Sequence, residues 1–225
     1  MKNFALALLL LAPCAASADV IQPEPRDEAW VQRHQAFLQE GPAPLLFLGD
    51  SITDSWRWDG KAVWDRDIAP LGARNFGIGG DRVENLWWRV QAGEVESASP
   101  RVIVLLIGTN NLPVNSVEEI AQGHQALLSE IRVRAPQAKI LVLKVFPRVD
   151  AWSGEFRDKI APLNAALEAE ATDPAVTLMD IGEFFEDTEG GVSPQIMFDG
   201  LHLTGQGYEL WSGAILPTVK QLLGQ

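Results

Sequence analysis

Short apolar runs separated by helical patterns constrain the fold of this sequence more than any other feature. Leu45–Leu48, Arg101–Ile107, Ile140–Phe146 and Val176–Met179 have the length of strands and are rich in valine, isoleucine and leucine. They lack the alternation of apolar and polar residues that marks a strand with one face in water. Strands of this kind are typical of parallel sheets that are covered on both faces.

Helical patterns occupy the stretches around these runs. Apolar residues recur at helical spacing in Asp27–Glu40, in Phe156–Leu167 and from Thr204 onward. Asp81–Glu84 and Ser116–Glu119 each have the composition of a capping box, and each is followed by a further amphipathic stretch. Because strand and helix alternate, the sequence predicts an α/β fold with a parallel sheet between two helical layers. Ligands of such sheets bind outside the carboxyl ends of the strands.

The chain length predicts one domain behind a leader. With 225 residues, 47% of them apolar, the chain can build one sizeable core but not two. In residues 1–18, Lys2 precedes the apolar run Phe4–Leu11, and the small residues Ala16–Ala18 end the segment. This pattern predicts a signal peptide over 1–18, cleaved before Asp19, and a single domain over 19–225.

The leader predicts export to the periplasm or the extracellular space. Its apolar run is shorter than the roughly 20 residues that span a bilayer, so we expect no permanent membrane anchor. Cys14 is the only cysteine and would be removed with the leader, so the mature protein would have no disulfide. Lipidation of Cys14 is an alternative, which the preceding Pro13 disfavours. The net charge of −12 argues against nucleic acid as a partner.

Four short motifs carry the chemistry, and we expect all of them to lie at the carboxyl ends of strands. They are Gly49–Ser51, Gly77–Asp81, Gly108–Asn111 and Asp199–His202. A serine hydroxyl attacks carbonyls poorly unless a base takes its proton and fixed donors stabilise the oxyanion. The four motifs supply a candidate for each of these roles, so together they predict acyl-transfer hydrolysis.

Histidine usage narrows the choice of base. The chain has three histidines, and two of them, His34 and His124, lie on or beside apolar helix stripes where a structural role is expected. His202 follows Asp199 by three residues, so the carboxylate can orient the imidazole and stabilise its charged form. The alternative is an ordinary surface pair near a helix start.

The nucleophile and the oxyanion donors follow from the remaining motifs. Ser51 comes directly after a predicted strand, where its hydroxyl reaches the ligand-binding edge of the sheet. The Gly80 backbone N–H can approach an oxyanion without a side chain in the way, and Asn110 can add an amide donor. A simple turn is the alternative for Gly80. A dinucleotide loop is disfavoured because Arg82 stands where the third glycine belongs.

The four motifs, in this order, resemble the signature blocks of the SGNH hydrolases, also called GDSL esterases and lipases. Their wording is most similar to the branch with the platelet-activating-factor acetylhydrolase catalytic subunits and their bacterial relatives. The resemblance implies a flavodoxin-like, three-layer α/β/α fold with a parallel five-stranded sheet, and neither cofactor nor metal. It also implies roles for five residues: Ser51 as nucleophile, His202 as base, Asp199 as its partner, and the Ser51 and Gly80 N–H groups with Asn110 as oxyanion hole.

Bulky neighbours of the motif residues suggest a small acyl site. Ile52, Thr109 and Leu201 are expected to wall it, which favours short acyl groups, acetyl first. Trp56 and Trp58 follow the nucleophile and are further pocket candidates, since aromatic faces can stack on sugar rings. Core packing is the alternative for this tryptophan cluster.

Several functions stay open at this level. The expected partner is a small acyl ester, for example an acetylated carbohydrate or a phospholipid-like molecule. A lysophospholipase or thioesterase acting on longer chains is an alternative within the same family. Alternatives from other classes are a metal-dependent phosphoesterase built on Asp50, Asp81, Asp199 and His202, and a glycan-binding module without activity. The oligomeric state does not follow from the sequence.

Overall fold

The computed structural model describes residues 21–149, 154–170, 172–186 and 191–225. The expected signal peptide, with Cys14, lies outside these residues. The strands are β1 (Leu45–Gly49), β2 (Ala73–Gly77), β3 (Val102–Leu106), β4 (Lys139–Leu143) and β5 (Val176–Met179). The main helices are α1 (Glu28–Leu38), α2 (Ser51–Asp54), α3 (Val83–Gln91), α4 (Glu94–Ala98), α5 (Val117–Arg134), α6 (Gly154–Glu170) and α7 (Gly205–Leu223).

The five strands form one parallel sheet in the order β2-β1-β3-β4-β5. This is the flavodoxin-like strand order, and it confirms the predicted fold class. The chain leaves β1 toward β2 and then crosses to β3 on the other side. Such a reversal opens a crevice at the carboxyl ends of β1 and β3, where ligands of open α/β sheets bind.

Two hydrophobic cores cover the two faces of the sheet. Along β1, Leu46 and Leu48 belong to the core shared with α1, α3, α4, α5 and α6. Leu45 and Phe47 belong to the opposite core, which is shared with α7 and with the short turns between residues 55 and 71. All four side chains are buried. Alternate residues of β1 therefore enter opposite cores. The sequence of the strand is continuously apolar because neither of its faces meets water.

The sequence pattern did not predict β2. Its polar residues Arg74 and Asn75 interrupt the apolar run, and the strand lies at the edge of the sheet. The Asn75 side chain donates to the Thr53 carbonyl at 2.8 Å and accepts from the Gly77 N–H at 2.9 Å. The buried amide therefore ties the strand to the segment after β1, a function that no hydrophobic pattern reveals.

One predicted capping box is confirmed and the other is wrong. Ser116 and Glu119 exchange side-chain and backbone hydrogen bonds of 3.2 and 2.8 Å at the start of α5. At α3, however, Arg82 is the capping position, and its N–H donates to the Asn85 side chain at 3.0 Å. The Asp81 carboxylate binds other groups, which are described with the site below.

Among the described residues, no helix is both long enough and apolar enough to cross a membrane.

Candidate active site

Ser51 is the first residue of α2, directly beyond the carboxyl end of β1. The Asp50 side chain accepts a hydrogen bond of 2.9 Å from the Ile52 N–H and so caps this short helix. The Tyr208 hydroxyl, from α7, donates to the Ile52 carbonyl at 2.6 Å. Two buried polar contacts therefore fix the helical turn that carries the serine.

Close packing at Gly77 sets how near α2 lies to the sheet. A Cβ atom at this position would lie 2.4 Å from the Asp54 backbone nitrogen, which is too close for any other residue. Gly77, which begins the second motif, therefore also allows the helix that carries Ser51 to lie close to the sheet.

The His202 imidazole lies between the Ser51 hydroxyl and the Asp199 carboxylate. Ser51 Oγ is 2.9 Å from His202 Nε2, and His202 Nδ1 is 2.7 Å from Asp199 Oδ2. With Nδ1 bonded to the carboxylate, Nε2 is the nitrogen free to accept the serine proton. The structure thus brings together the three residues that the sequence proposed as nucleophile, base and orienting carboxylate, across 151 residues of chain.

A tight hairpin holds the histidine in place. Met197 and Leu203 form an antiparallel bridge, and the Phe198 N–H donates to the His202 carbonyl at 3.1 Å. The tip of the hairpin is anchored by the Val149 N–H, which donates to the Gly200 carbonyl at 2.9 Å. These contacts hold the segment that positions the imidazole over the end of β1.

The Asp199 carboxylate is held by more than the imidazole. Its Oδ1 accepts from the N–H groups of Leu201 at 3.0 Å and His202 at 2.7 Å. Partial burial alone would raise the pKa of Asp199, but these bonds and the one from the His202 side chain lower it below its ordinary value. The carboxylate is therefore ionised wherever the imidazole needs a negative partner.

Backbone and side-chain donors converge near Ser51. Gly80 has a φ of +79°, a left-handed conformation that favours glycine, and it follows the end of β2. Within the described parts of the chain, the N–H groups of Ser51 and Gly80 have no acceptor. The Asn110 side-chain amide, beyond β3, donates to the Asp81 carbonyl at 2.9 Å and keeps a second N–H unused by that bond.

A buried ionic network underlies the glycine turn. The Asp81 carboxylate accepts from Trp30 Nε1 at 2.6 Å, Arg89 Nε at 2.9 Å and Arg26 Nη1 at 3.0 Å. Burial raises the pKa of Asp81, and Arg89, Trp30 and Arg26 offset part of that rise. Sequence reasoning missed these contacts because Trp30 and Arg26 lie more than 50 residues before Asp81 and carry no motif of their own.

The same ionic network extends from α3 to α4 and α1. Arg89, which has no exposed surface, also donates to Glu94 Oε2 at 2.6 Å. Glu94 Oε1 lies 2.8 Å from His34 Nδ1 on α1. His34 therefore has a packed, hydrogen-bonded place in the interior, as its helix stripe indicated.

Asp50 is a second buried carboxyl beside the nucleophile. Burial raises the pKa of Asp50 to about 7, with a further increase from nearby Asp81; the Ile52 N–H and Arg148 act in the opposite direction. Its Oδ2 atom has no hydrogen-bond partner among the described residues. The group next to Ser51 therefore changes its charge near neutral pH.

The residues expected to wall the acyl site differ in exposure. Ile52 and Thr109 are buried, so they offer almost no surface to a ligand. The Thr109 hydroxyl and carbonyl both accept from Arg148 Nη1 at 3.1 Å. Leu201 is half-buried and packs against the core that contains α7.

The two tryptophan pocket candidates have different places. Trp56 is a correction to the sequence interpretation, because it lies fully buried in the core. Its ring packs against those of Tyr208 and Trp211, with centroids 4.5 and 4.9 Å away. No ring face is left for a sugar. Trp58 is 65% exposed and is the one of the pair that can contact a ligand.

A cleft of about 630 Å³ lies elsewhere, between α6 and the ends of β4 and β5. It is lined by residues that include Lys144, Asn164 and Asp180, and none of the candidate catalytic residues contributes to it. The serine site lies instead at the carboxyl end of β1. Over the described ranges, no three histidine, cysteine or acidic side chains are grouped as metal ligands.

The fold and the site together define a class of protein. The fold has three α/β/α layers, and it holds a serine, a histidine and an aspartate in a hydrogen-bonded series. This is the arrangement of serine-dependent hydrolases. The model of the GDSL-like lipase/acylhydrolase family matches residues 47–210. The chain therefore belongs to the GDSL-like lipase/acylhydrolase family, and it is a carboxylic ester hydrolase.

Two similar proteins support this family membership. Platelet-activating factor acetylhydrolase IB subunit alpha2 of Rattus norvegicus is 38% identical over 201 residues, which cover 88% of this chain and 86% of the relative. Subunit alpha1 of Homo sapiens is 30% identical over 215 residues, covering 94% of this chain and 91% of the relative.

Solved structures show the same fold. An acylhydrolase from Bacteroides fragilis superposes with a TM-score of 0.75 at 22% identity, covering 88% of this chain and 99% of that one. An acetylxylan esterase from Geobacillus stearothermophilus superposes with a TM-score of 0.61 at 19% identity, covering 82% and 95%. At these identities the likeness concerns the fold alone.

Proposed function

We propose that the protein is a serine esterase that removes short acyl groups, acetyl first, from an alcohol. The observation that carries the proposal is the series of two hydrogen bonds, 2.9 Å from Ser51 Oγ to His202 Nε2 and 2.7 Å from His202 Nδ1 to Asp199 Oδ2. Ser51 is the nucleophile, His202 the general base and Asp199 the group that fixes the imidazole tautomer.

The reaction proceeds in two halves. In the first, His202 Nε2 takes the serine proton while Ser51 Oγ bonds to the ester carbonyl carbon, and the imidazolium then protonates the alkoxy oxygen as its bond to that carbon breaks, which releases the alcohol. In the second, His202 removes a proton from water, the hydroxide attacks the acyl-serine, and the acid leaves as Ser51 regains its proton. The N–H groups of Ser51 and Gly80 and the Asn110 amide stabilise the negative oxygen in both halves.

Two observations support a small acyl group. Ile52, next to Ser51, and Thr109, next to Asn110, are buried, so the interior around these two side chains is filled and offers no space to a long acyl chain. The named relatives are acetylhydrolases, and one structural neighbour is an acetylxylan esterase. Residues 1–18 have the pattern of a signal peptide, and we propose that the mature enzyme acts outside the cytoplasm.

The test combines an ester series with covalent labelling. Purified protein lacking residues 1–18 is assayed on para-nitrophenyl acetate, butyrate and octanoate, and is then treated with a fluorophosphonate. We expect the highest kcat/KM on acetate, and a label on Ser51 that disappears in Ser51→Ala. Ser129→Ala, at an exposed helical serine, is the matched control and keeps full activity and full labelling.

Each alternative predicts a different result when the experiment is extended with a chelator and a sugar-binding measurement. Faster turnover of octanoate than of acetate would replace the short-acyl proposal with the lysophospholipase or thioesterase alternative. Activity that is lost in a chelator and kept in Ser51→Ala would indicate the metal-dependent phosphoesterase. Sugar binding with no esterase activity in the wild-type protein would indicate a glycan-binding module.

A further inference from the structure

Phe198 places an exposed aromatic ring beside the proposed base. Its side chain is 56% exposed. The ring lies nearly parallel to the His202 imidazole, with an angle of 21° between the planes and 6.0 Å between the centroids. The hydrogen bond from the Phe198 N–H to the His202 carbonyl fixes the two residues as partners across the hairpin.

Packing does not explain why a phenylalanine stands here. The hairpin is secured from its inner side by Met197 and Leu203, which are both buried. The outward-facing ring of Phe198 adds little to the core, and a large apolar side chain loses burial energy when it faces water. By contrast, the phenylalanines at positions 37, 47, 76, 146 and 185 are buried.

The position of the ring matters because of what His202 does in the proposed reaction. The imidazolium must hand its proton to the oxygen of the departing alcohol, so that oxygen comes within hydrogen-bond reach of Nε2. Groups attached to the oxygen then lie next to the imidazole and its stacked neighbour. Aromatic faces favour flat partners through offset stacking.

We propose that Phe198 is a specificity-determining residue, which binds the alcohol portion of the ester and selects leaving groups that present a flat, apolar ring face. Aryl rings and the C–H faces of sugar rings meet this description. The inference rests on the proposed function, and it assigns to that site a leaving-group preference in addition to the acyl preference. Phe198 takes no part in the bond changes.

The experiment compares two acetates that differ in the leaving group. Phenyl acetate has a flat ring, and trifluoroethyl acetate is an activated ester without one. In Phe198→Ala we expect kcat/KM to fall about tenfold on phenyl acetate, which corresponds to about 1.4 kcal/mol, and to change less than twofold on trifluoroethyl acetate. Phe198→Tyr, which keeps the ring, should retain both activities. Phe184→Ala, at another exposed phenylalanine, is the matched control.

The pH profile separates recognition from a structural role. If the ring only holds His202 in place, Phe198→Ala lowers kcat/KM equally on both esters and shifts the acid limb of the profile, and the inference is wrong. Unchanged rates on both esters would also overturn it. A wild-type protein that hydrolyses neither ester overturns the proposed function first and this inference with it. For the sugar arm, an acetylated methyl glycoside, which has a sugar ring and no aryl ring, should show the same loss in Phe198→Ala as phenyl acetate.

Discussion

The side-chain amide of Asn110 donates a hydrogen bond of 2.9 Å to the main-chain carbonyl of Asp81. This bond joins the segment after β3 to the turn after β2, and it orients the amide. It uses one of the two amide N–H groups and leaves the second one available. The Asp81 carboxylate is in turn held by Arg26, Trp30 and Arg89. The second N–H of Asn110 is thus fixed by a chain of contacts that reaches into the interior.

Removal of the Asn110 amide should slow the chemical step. We expect Asn110→Ala to lower kcat about 10²- to 10³-fold, the loss found when one oxyanion donor is removed, with a small change in KM. Steady-state kinetics on para-nitrophenyl acetate measures both constants. Gln91→Ala, which removes an exposed amide at the end of α3, should leave the rates unchanged. An Asn110→Ala enzyme within threefold of wild type would contradict the oxyanion role.

Loss of the imidazole should reduce activity more than loss of its carboxylate partner. We expect His202→Ala to reduce kcat about 10⁶-fold and Asp199→Ala about 10⁴-fold, since the second variant still has a base. The pKa of Asp199 is lowered, so its carboxylate stays ionised in mild acid, and we expect no loss of activity there from protonation of Asp199. Single-turnover assays with Asp158→Ala as an exposed control would check this. Equal losses in both variants would refute the assignment.

The catalytic candidates could be predicted because parallel strands end at one edge. Ser51 follows β1 and Asn110 follows β3, so local strand patterns were enough to place these two together, whereas Gly80 follows β2, which the pattern did not predict, and was recognised by its glycine-rich motif. His202 could be chosen because few histidines compete for the role. The positions of the motifs along the chain therefore predicted their proximity in the fold as well as their chemistry.

Other features depended on contacts that local patterns do not encode. Trp56 and Trp58 are two residues apart in one aromatic stretch, yet one is buried and the other is 65% exposed. Their difference arises from the packing of Tyr208 and Trp211, which lie about 150 residues later. Asp81 resembled a helix cap because its sequence neighbours fit that role, whereas Arg89 and Trp30 bind its carboxylate.

Asp50 should make stability fall as the pH rises toward neutrality. Its pKa of about 7 in the folded protein exceeds the ordinary value of 3.8. The folded state therefore binds the extra proton more tightly, and stability that is complete below pH 3.8 is lost progressively up to pH 7. The full difference is about 4 kcal/mol. Arg148 and Asp81 are the charged groups that act on this carboxyl, and they remain in the variants.

Urea unfolding between pH 4 and 8 measures the contribution of Asp50. We expect Asp50→Asn to lack the Asp50 contribution, so its stability should rise relative to wild type as the pH increases, and it should be more stable than wild type at pH 8, because its amide oxygen can still cap Ile52. Asp50→Ala lacks the cap and should be about 1 kcal/mol less stable than Asp50→Asn. A wild-type and an Asp50→Asn curve that run parallel would show that the carboxyl does not titrate in this range.

His124 should have the opposite effect on stability. It lies buried on α5, neither ring nitrogen has a hydrogen-bond partner among the described residues, and burial lowers its pKa from 6.5 to about 4. The unfolded chain therefore binds the proton more tightly, and stability that is complete above pH 6.5 declines as the pH falls to 4. The total is about 3 kcal/mol.

The contributions of Asp50 and His124 oppose each other across nearly the same pH range, so the wild-type curve alone conceals both. In His124→Leu, which keeps a similar volume and removes two unsatisfied nitrogens, the free energy of unfolding should no longer decline in acid. That variant should then fall in stability from pH 4 to 7 more steeply than wild type, because the Asp50 effect acts alone. Urea titrations of Asp50→Asn, His124→Leu and the variant that combines both substitutions would test this. A double variant that retains the slope of either single variant would show that other groups control it.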